Sequence, residues 1–112
     1  MLIGKISPYV KFSVKEDLLN DPSTVEAKWV TVTAERMPLG ADEVRFSFFL
    51  GFTNEVGIDI YRFTTLYRDS MTFLKADLSD WGTDDSVMIY KIATRLGLQI
   101  TEVLDVNITD MY

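Results

Sequence analysis

The sequence predicts an α+β fold, in which a mainly antiparallel sheet of about five strands carries two helices packed on one face. Three observations support this prediction. Several segments alternate between apolar and polar residues, as strands with one buried face do. One segment near the C-terminus has apolar residues at three- and four-residue intervals, which is typical of a helix. Turn-forming stretches that contain proline, glycine or asparagine separate these segments.

The first half of the chain contains three predicted strands. Residues 9–14 and 26–36 alternate in polarity, and the second of these segments is rich in β-branched side chains. Residues 43–52 place their even-numbered, mostly aromatic side chains on one face. Turns predicted at residues 17–24 and 37–42 separate the strands. Because the second and third strands are joined by a short loop with proline and glycine, we expect them to pair antiparallel.

The segment that follows is ambiguous. A break is predicted at residues 54–57, which contain asparagine and glycine. Residues 57–68 fit either a strand or a helix, because they are rich in β-branched and aromatic residues but also have near-helical apolar spacing. We expect a strand over residues 57–66 and a helix over residues 69–78.

The C-terminal part contains the clearest helix and the last strand. Residues 83–96 have an apolar stripe and begin with threonine and aspartates, which cap and complement a helix N-terminus. Gly97 suits the left-handed position that often follows a helix. Alternation over residues 98–109 predicts a strand, whose apolar face is interrupted only by Glu102.

The bulk properties describe one acidic domain. The 112 residues fit a single globular domain, residues 1–112, with a net charge of −6. Because the lysines and arginines are scattered singly, we expect neither direct nucleic-acid binding nor attraction to anionic membranes. The chain has neither a signal-peptide pattern nor an apolar stretch near the ~20 residues of a membrane-spanning helix. A cytoplasmic location is therefore expected.

The chain has no histidine and no cysteine, which excludes several kinds of catalysis. Serine–histidine catalysis, thiol catalysis, disulfides and the usual zinc sites all need one of these residues. Carboxylate chemistry is the main alternative, and Glu102 is its candidate because alternation places it among apolar residues. Burial raises the pKa of a carboxyl group and makes it a useful acid or base. A β-bulge, a strand end or a salt bridge at Glu102 would remove that motivation.

Four aspartates, Asp77, Asp80, Asp84 and Asp85, precede the clearest helix without a neighbouring cation. A calcium loop that begins at Asp77 would need oxygen ligands at its fifth and twelfth positions, but tryptophan and methionine occupy them. We therefore expect no metal and no other cofactor. The aspartates fit a solvated helix cap, or a cap that also contacts a basic surface on a protein partner.

Two aromatic side chains form a second candidate for partner binding. Trp29 and Phe49 lie on the otherwise polar faces of two neighbouring predicted strands. If the helices cover only the other face, Trp29 and Phe49 form an exposed apolar patch, which is typical of protein contacts. If another part of the chain covers this face, they belong to the core.

The sequence thus favours a small acidic, non-enzymatic protein-binding module, of the type of an inhibitor, an immunity protein or an anti-defence factor that blocks a partner's surface. Its partner is expected to be a protein with a basic surface, and a homo-oligomer is possible. The alternative is a structural subunit of a larger assembly such as a virion, and a carboxylate-based enzyme is less favoured.

Overall fold

A computed structural model of the chain describes residues 1–15, 22–35, 42–74, 76 and 86–111. Within these residues the chain forms six strands and one helix. Their bounds are β1 Leu2–Lys15, β2 Pro22–Ala34, β3 Glu43–Gly57, β4 Ile60–Leu74, α1 Ser86–Arg95, β5 Gln99–Asp105 and β6 Asn107–Met111.

All six strands belong to one sheet, in the order β5-β1-β2-β3-β4-β6. Four neighbouring pairs are antiparallel, and β4 and β6 are parallel. The two edge strands, β5 and β6, are separated in the chain only by Val106. Leu2 of β1 pairs with Asp105 at the end of β5, and Ile60 of β4 pairs with Asn107 at the start of β6. In a flat sheet of this register, Leu2 and Ile60 would be roughly 30 Å apart. A single intervening residue spans far less than that, so the sheet must curl until its edges approach each other.

The predicted α+β fold with two helices on one sheet face is wrong. The chain is mostly β, and α1 is the one helix in the part of the chain that the structure describes. Residues 69–74, which we expected to be helical, form the end of β4 and pair with β3 as far as Leu74. The apolar spacing misled because an interval of four residues, as from Tyr67 to Met71, keeps two side chains on one face of a strand as well as of a helix.

The break predicted at residues 54–57 is also wrong. β3 continues to Gly57, which pairs with Ile60, so the hairpin turns at Ile58 and Asp59. Asp59 has a φ of 57°, in the left-handed region that aspartate tolerates better than most residues.

Several other predictions are confirmed. The strands predicted over residues 9–14 and 43–52 lie within longer strands, residues 26–34 of the strand predicted over 26–36 lie in β2, and β2 and β3 pair antiparallel. The predicted helix over residues 83–96 corresponds to α1, and Gly97 follows it with a φ of 75°. The last predicted strand is divided into β5 and β6. Most of the two predicted turns, residues 17–21 and 37–41, lies outside the described residues.

The main core lies between α1 and one face of the sheet. α1 contributes buried Met88, Ile89 and Ile92, and the sheet contributes mainly aromatic and branched side chains. The helix lies very close to β1 at Gly4, because a Cβ on Gly4 would lie only 2.6 Å from Cγ2 of Ile89. Glycine at this position therefore lets the helix rest directly on the strand.

The opposite face of the sheet also buries side chains. β4 has one extra residue, Leu66, between the pairs Leu50–Tyr67 and Gly51–Thr65. This bulge reverses which face of the sheet the side chains of the preceding part of β4 occupy. The Phe63 ring therefore lies on the face opposite the main core, over Gly51. Phe63 is completely buried, so the second face is not an open surface throughout.

Candidate functional site

The most distinctive feature of the sheet is a gap between β2 and β3. The β2–β3 ladder ends at the pair Trp29–Gly51, although both strands continue. Beyond that pair, and among the described strands, β2 pairs only with β1 as far as Pro22, and β3 pairs only with β4 as far as Gly57. Two hairpins therefore diverge from Trp29, and each presents one strand edge to the gap.

The gap forms an open cleft of about 420 Å³, which we call the Trp29 cleft. One wall comes from β2 and the other from β3. The lining residues are Val25, Glu26, Lys28 and Trp29 on the β2 side and Phe52, Thr53 and Asn54 on the β3 side. The cleft thus combines two aromatic side chains with the edges of two strands.

The register shows which backbone groups of β3 point into the cleft. In an antiparallel ladder, successive residues direct their N–H and C=O groups to alternate neighbours. The carbonyl of Arg45 accepts a hydrogen bond of 2.9 Å from the amide of Glu35, so odd-numbered residues of β3 face β2. β3 has no extra residue between Arg45 and Glu55, since the bulge at Leu66 belongs to β4. The backbone groups of Thr53 and Glu55 therefore point into the cleft, where no described strand pairs with them.

Two charged side chains of the β2 wall are held by β1. The Lys28 ammonium lies 5.6 Å from the centre of the Tyr9 ring, and Glu26 lies 4.0 Å from the Lys11 ammonium. Both contacts are at the surface and are weak individually. They orient Lys28 and Glu26 along the neighbouring strand.

The tip of the β3–β4 hairpin is a second surface feature beside the cleft. All residues from Asn54 to Asp59 are exposed, and they include Val56 at 49% and Ile58 at 91% exposure. The sequence reasoning missed this tip because it placed the break at residues 54–57 and began the next strand at Gly57. The pairing of Gly57 with Ile60 places the two-residue turn at Ile58 and Asp59, and only this pairing shows that Ile58 projects into solvent.

A polar network crosses β2, β3 and β4 away from the cleft. The Ser47 hydroxyl donates a hydrogen bond of 2.6 Å to Glu35, whose other carboxylate oxygen lies 3.3 Å from Nε of Arg45. Arg45 in turn donates to the Ser70 hydroxyl at 3.0 Å. Every member named here has a partner, so this network links the segment after β2 to β3 and β4 rather than presenting an unpaired reactive group.

The network continues to Asp69 on the exposed edge of β4. Its carboxylate accepts hydrogen bonds from the Ser70 amide and from the Tyr67 hydroxyl. The Ser70 amide is the main cause that lowers the pKa of Asp69. The hydrogen bond to Asp69 raises the pKa of the Tyr67 phenol, because it stabilises the protonated form.

The structure places Trp29 and Phe49 on the same face of the sheet. The pairs Trp29–Gly51 and Thr31–Phe49 make the two aromatic residues diagonal neighbours. Both are half-buried, and the Arg68 guanidinium lies 5.5 Å from the centre of the Phe49 ring. Thr31, on the same face, is completely buried and donates a hydrogen bond to the carbonyl of Leu2. This face is therefore covered in part, and contact of Trp29 and Phe49 with a partner stays a prediction.

The Glu102 side chain is exposed. The β1–β5 register shifts between the pairs Lys5–Glu102 and Ile6–Ile100, which places an extra residue, Thr101, in β5. This bulge turns the Glu102 side chain into solvent. Of the alternatives that the sequence left open at Glu102, the β-bulge is therefore the correct one. The burial that motivated carboxylate catalysis is absent at this residue.

The four aspartates of the predicted acidic knob, Asp77, Asp80, Asp84 and Asp85, lie outside the described residues. Among the residues that the structure describes, no group of three or more acidic side chains is placed to hold a metal ion. No helix in the same part of the chain is long and apolar enough to cross a membrane.

Comparisons with known protein families, with curated proteins and with solved structures give no match to this chain. The distinguishing geometry of the described residues is a curled sheet with one helix, a cleft between two diverging hairpins, and an exposed hairpin tip.

Proposed function

We propose that this chain is a small acidic, non-enzymatic binding module that acts by occupying a surface of another protein. The observation that carries the proposal is the Trp29 cleft, which offers a large aromatic side chain beside strand edges that no other described strand pairs with. Tryptophan is enriched among the residues that dominate binding energy at protein interfaces. A module of the inhibitor, immunity or anti-defence type needs such a contact surface and no chemistry of its own.

The electrostatics and the hairpin tip support the same proposal. The net charge of −6 favours encounter with a basic partner surface. Glu55 and Asp59 are exposed beside Val56 and Ile58, so the tip can add an apolar contact with an acidic rim. The exposed position of Glu102 leaves the carboxylate-enzyme alternative without its motivating observation.

The proposal is tested by affinity capture from the native host lysate with the full chain as bait. Three baits are compared: the wild type, Trp29→Ala in the cleft, and Tyr90→Ala on the outer face of α1, where another aromatic side chain is exposed outside the cleft. We expect a protein that the wild type and Tyr90→Ala retain but Trp29→Ala loses. Circular dichroism of the three baits confirms that each is folded.

Two results would contradict the proposal. One is that the three baits retain the same proteins in equal amounts. The other is a solution mass that increases with protein concentration because the chain assembles into rings or filaments. This result would favour the structural-subunit alternative. A purified complex of defined stoichiometry with the captured protein would support the binding module.

A further inference from the structure

We infer that the Trp29 cleft binds an extended segment of the partner as an added β-strand, inserted between β2 and β3. This inference rests on the proposed function and specifies the chemistry of its partner. It commits to a polypeptide segment rather than to a small molecule or a second folded surface.

The backbone of β3 provides the first argument. Thr53 and Glu55 direct their N–H and C=O groups into the cleft beyond the end of the β2–β3 ladder. Strand addition uses such unpaired edge groups for affinity, because each of them can hydrogen-bond to an extended backbone. An inserted segment would continue the ladder that stops at Trp29 and Gly51.

The side chains provide the second argument. Trp29 shares a face of the sheet with its partner Gly51, and Phe52, the next residue along β3, lies on the opposite face. Both aromatic residues line the cleft. An inserted strand also alternates its side chains between two faces, so one of its residues would contact Trp29 and the next would contact Phe52. This arrangement suits a strand with two adjacent apolar residues.

Size and charge are consistent with that occupant. The volume of about 420 Å³ is near the lower end of the range for small ligand sites, which suits a short length of extended chain. Glu26 and Lys28 both line the cleft, Glu55 is exposed next to the lining residue Asn54, and the whole chain carries a charge of −6. The inserted segment is therefore apolar at its centre and basic at its flanks.

The probe for this inference is a displayed library of random linear peptides, selected on the immobilised full chain. The strongest binders are synthesised, and their affinity is measured by tryptophan emission. The chain has two tryptophans, so the measurement uses a Trp81→Phe background in which Trp29 alone reports. We expect selected peptides to carry adjacent apolar residues with basic flanks and to shift the emission of Trp29.

A matched pair of proline variants tests the mode of binding. Thr53→Pro removes an N–H that points into the cleft and leaves the β3–β4 ladder intact. Thr72→Pro is the control, because the Thr72 carbonyl accepts from Arg95 and therefore points away from β3, as does its N–H. Loss of one hydrogen bond predicts that Thr53→Pro weakens peptide binding by about fivefold to tenfold, whereas Thr72→Pro leaves it unchanged.

Hydrogen exchange on the unmodified chain provides a readout that does not depend on the folding of the variants. Bound peptide is expected to slow exchange of the Thr53 and Glu55 amides. Peptides that bind without protecting these amides, or that bind Thr53→Pro and Thr72→Pro equally well, would overturn strand insertion. Failure of the library to yield any binder would also overturn it. The lysate capture tests the proposed function separately. A folded partner could depend on Trp29 without inserting a strand, so strand insertion can be wrong while the binding module is right.

Discussion

Replacement of Gly4 by alanine tests how closely α1 rests on the sheet. A Cβ added at Gly4 would lie 2.6 Å from Cγ2 of Ile89 and 3.1 Å from Cδ1 of Ile100. Carbon atoms in good contact are about 3.5–4.0 Å apart, so the helix has to retreat by about 1 Å at Ile89. Ile100 can rotate its terminal methyl group, but Ile89 is buried on the helix and has little freedom.

The magnitude follows from two opposing effects. Overpacking of a close core contact costs about 1–3 kcal/mol. Replacement of glycine by alanine also restricts the unfolded chain, which stabilises the fold by about 0.4–1 kcal/mol. We therefore expect Gly4→Ala to lower the free energy of unfolding by about 1–2 kcal/mol, measured by urea denaturation. Gly57→Ala is the matched control, because its Cβ would meet only Ile60 at an ordinary 3.4 Å. It should unfold at the same urea concentration as the wild type or slightly higher.

A double-mutant cycle checks that the clash is with Ile89. Ile89→Ala alone should cost about 2–5 kcal/mol, as deletions of buried isoleucine do. In the Gly4→Ala background the same substitution should cost less, because it also relieves the overlap. Strictly additive effects, or a Gly4→Ala variant as stable as the wild type, would refute the close docking of α1 on β1.

Three further predictions concern the β3–β4 region. Gly51→Ala should destabilise by more than about 3 kcal/mol in the same urea assay, because its Cβ would overlap a backbone carbonyl of β4 that cannot rotate away; an unchanged midpoint would contradict the bulged register. The pKa of Asp69 is lowered mainly by the Ser70 amide, so the stability that this carboxylate contributes is present above about pH 4 and is lost as the pH falls through the lowered pKa. The melting temperature of the wild type should therefore fall more steeply on acidification than that of Asp69→Asn, and parallel curves would contradict this. The Arg95 guanidinium lies 3.8 Å from the centre of the Phe73 ring, so Arg95→Lys should cost about 0.5–1 kcal/mol in urea denaturation, and no loss would mean that this contact does not persist in solution.

Local patterns predicted most of the strands because alternation of polarity depends only on neighbouring residues. The residues of α1 and the left-handed conformation of Gly97 were predictable for the same reason. The helix expected at residues 69–78 was wrong over residues 69–74, because the spacing of the apolar residues there does not distinguish a helix from a strand. The four-residue interval from Tyr67 to Met71 fits a strand as well as a helix, because an even interval keeps two side chains on one face of a strand.

The features that matter for binding depend on pairing between distant segments. No local pattern indicates that the β2–β3 ladder stops at Trp29 or that Val106 connects the two edges of the sheet. The Thr101 bulge that exposes Glu102 is likewise a property of the β1–β5 register. Sequence reasoning did select Trp29 as a candidate, but it left open whether that side chain lies on an open face or in the core, and it did not indicate a cleft.

Amide hydrogen exchange of the free chain tests the separation of β2 and β3 most directly. The register predicts an alternating pattern along β3 beyond Gly51: the Phe52 and Asn54 amides face β4 and exchange slowly, whereas the Thr53 and Glu55 amides face the cleft and exchange fast. Slow exchange at Thr53 and Glu55, equal to that of their neighbours, would mean that another strand covers this edge. The Trp29 cleft would then not exist in the free protein.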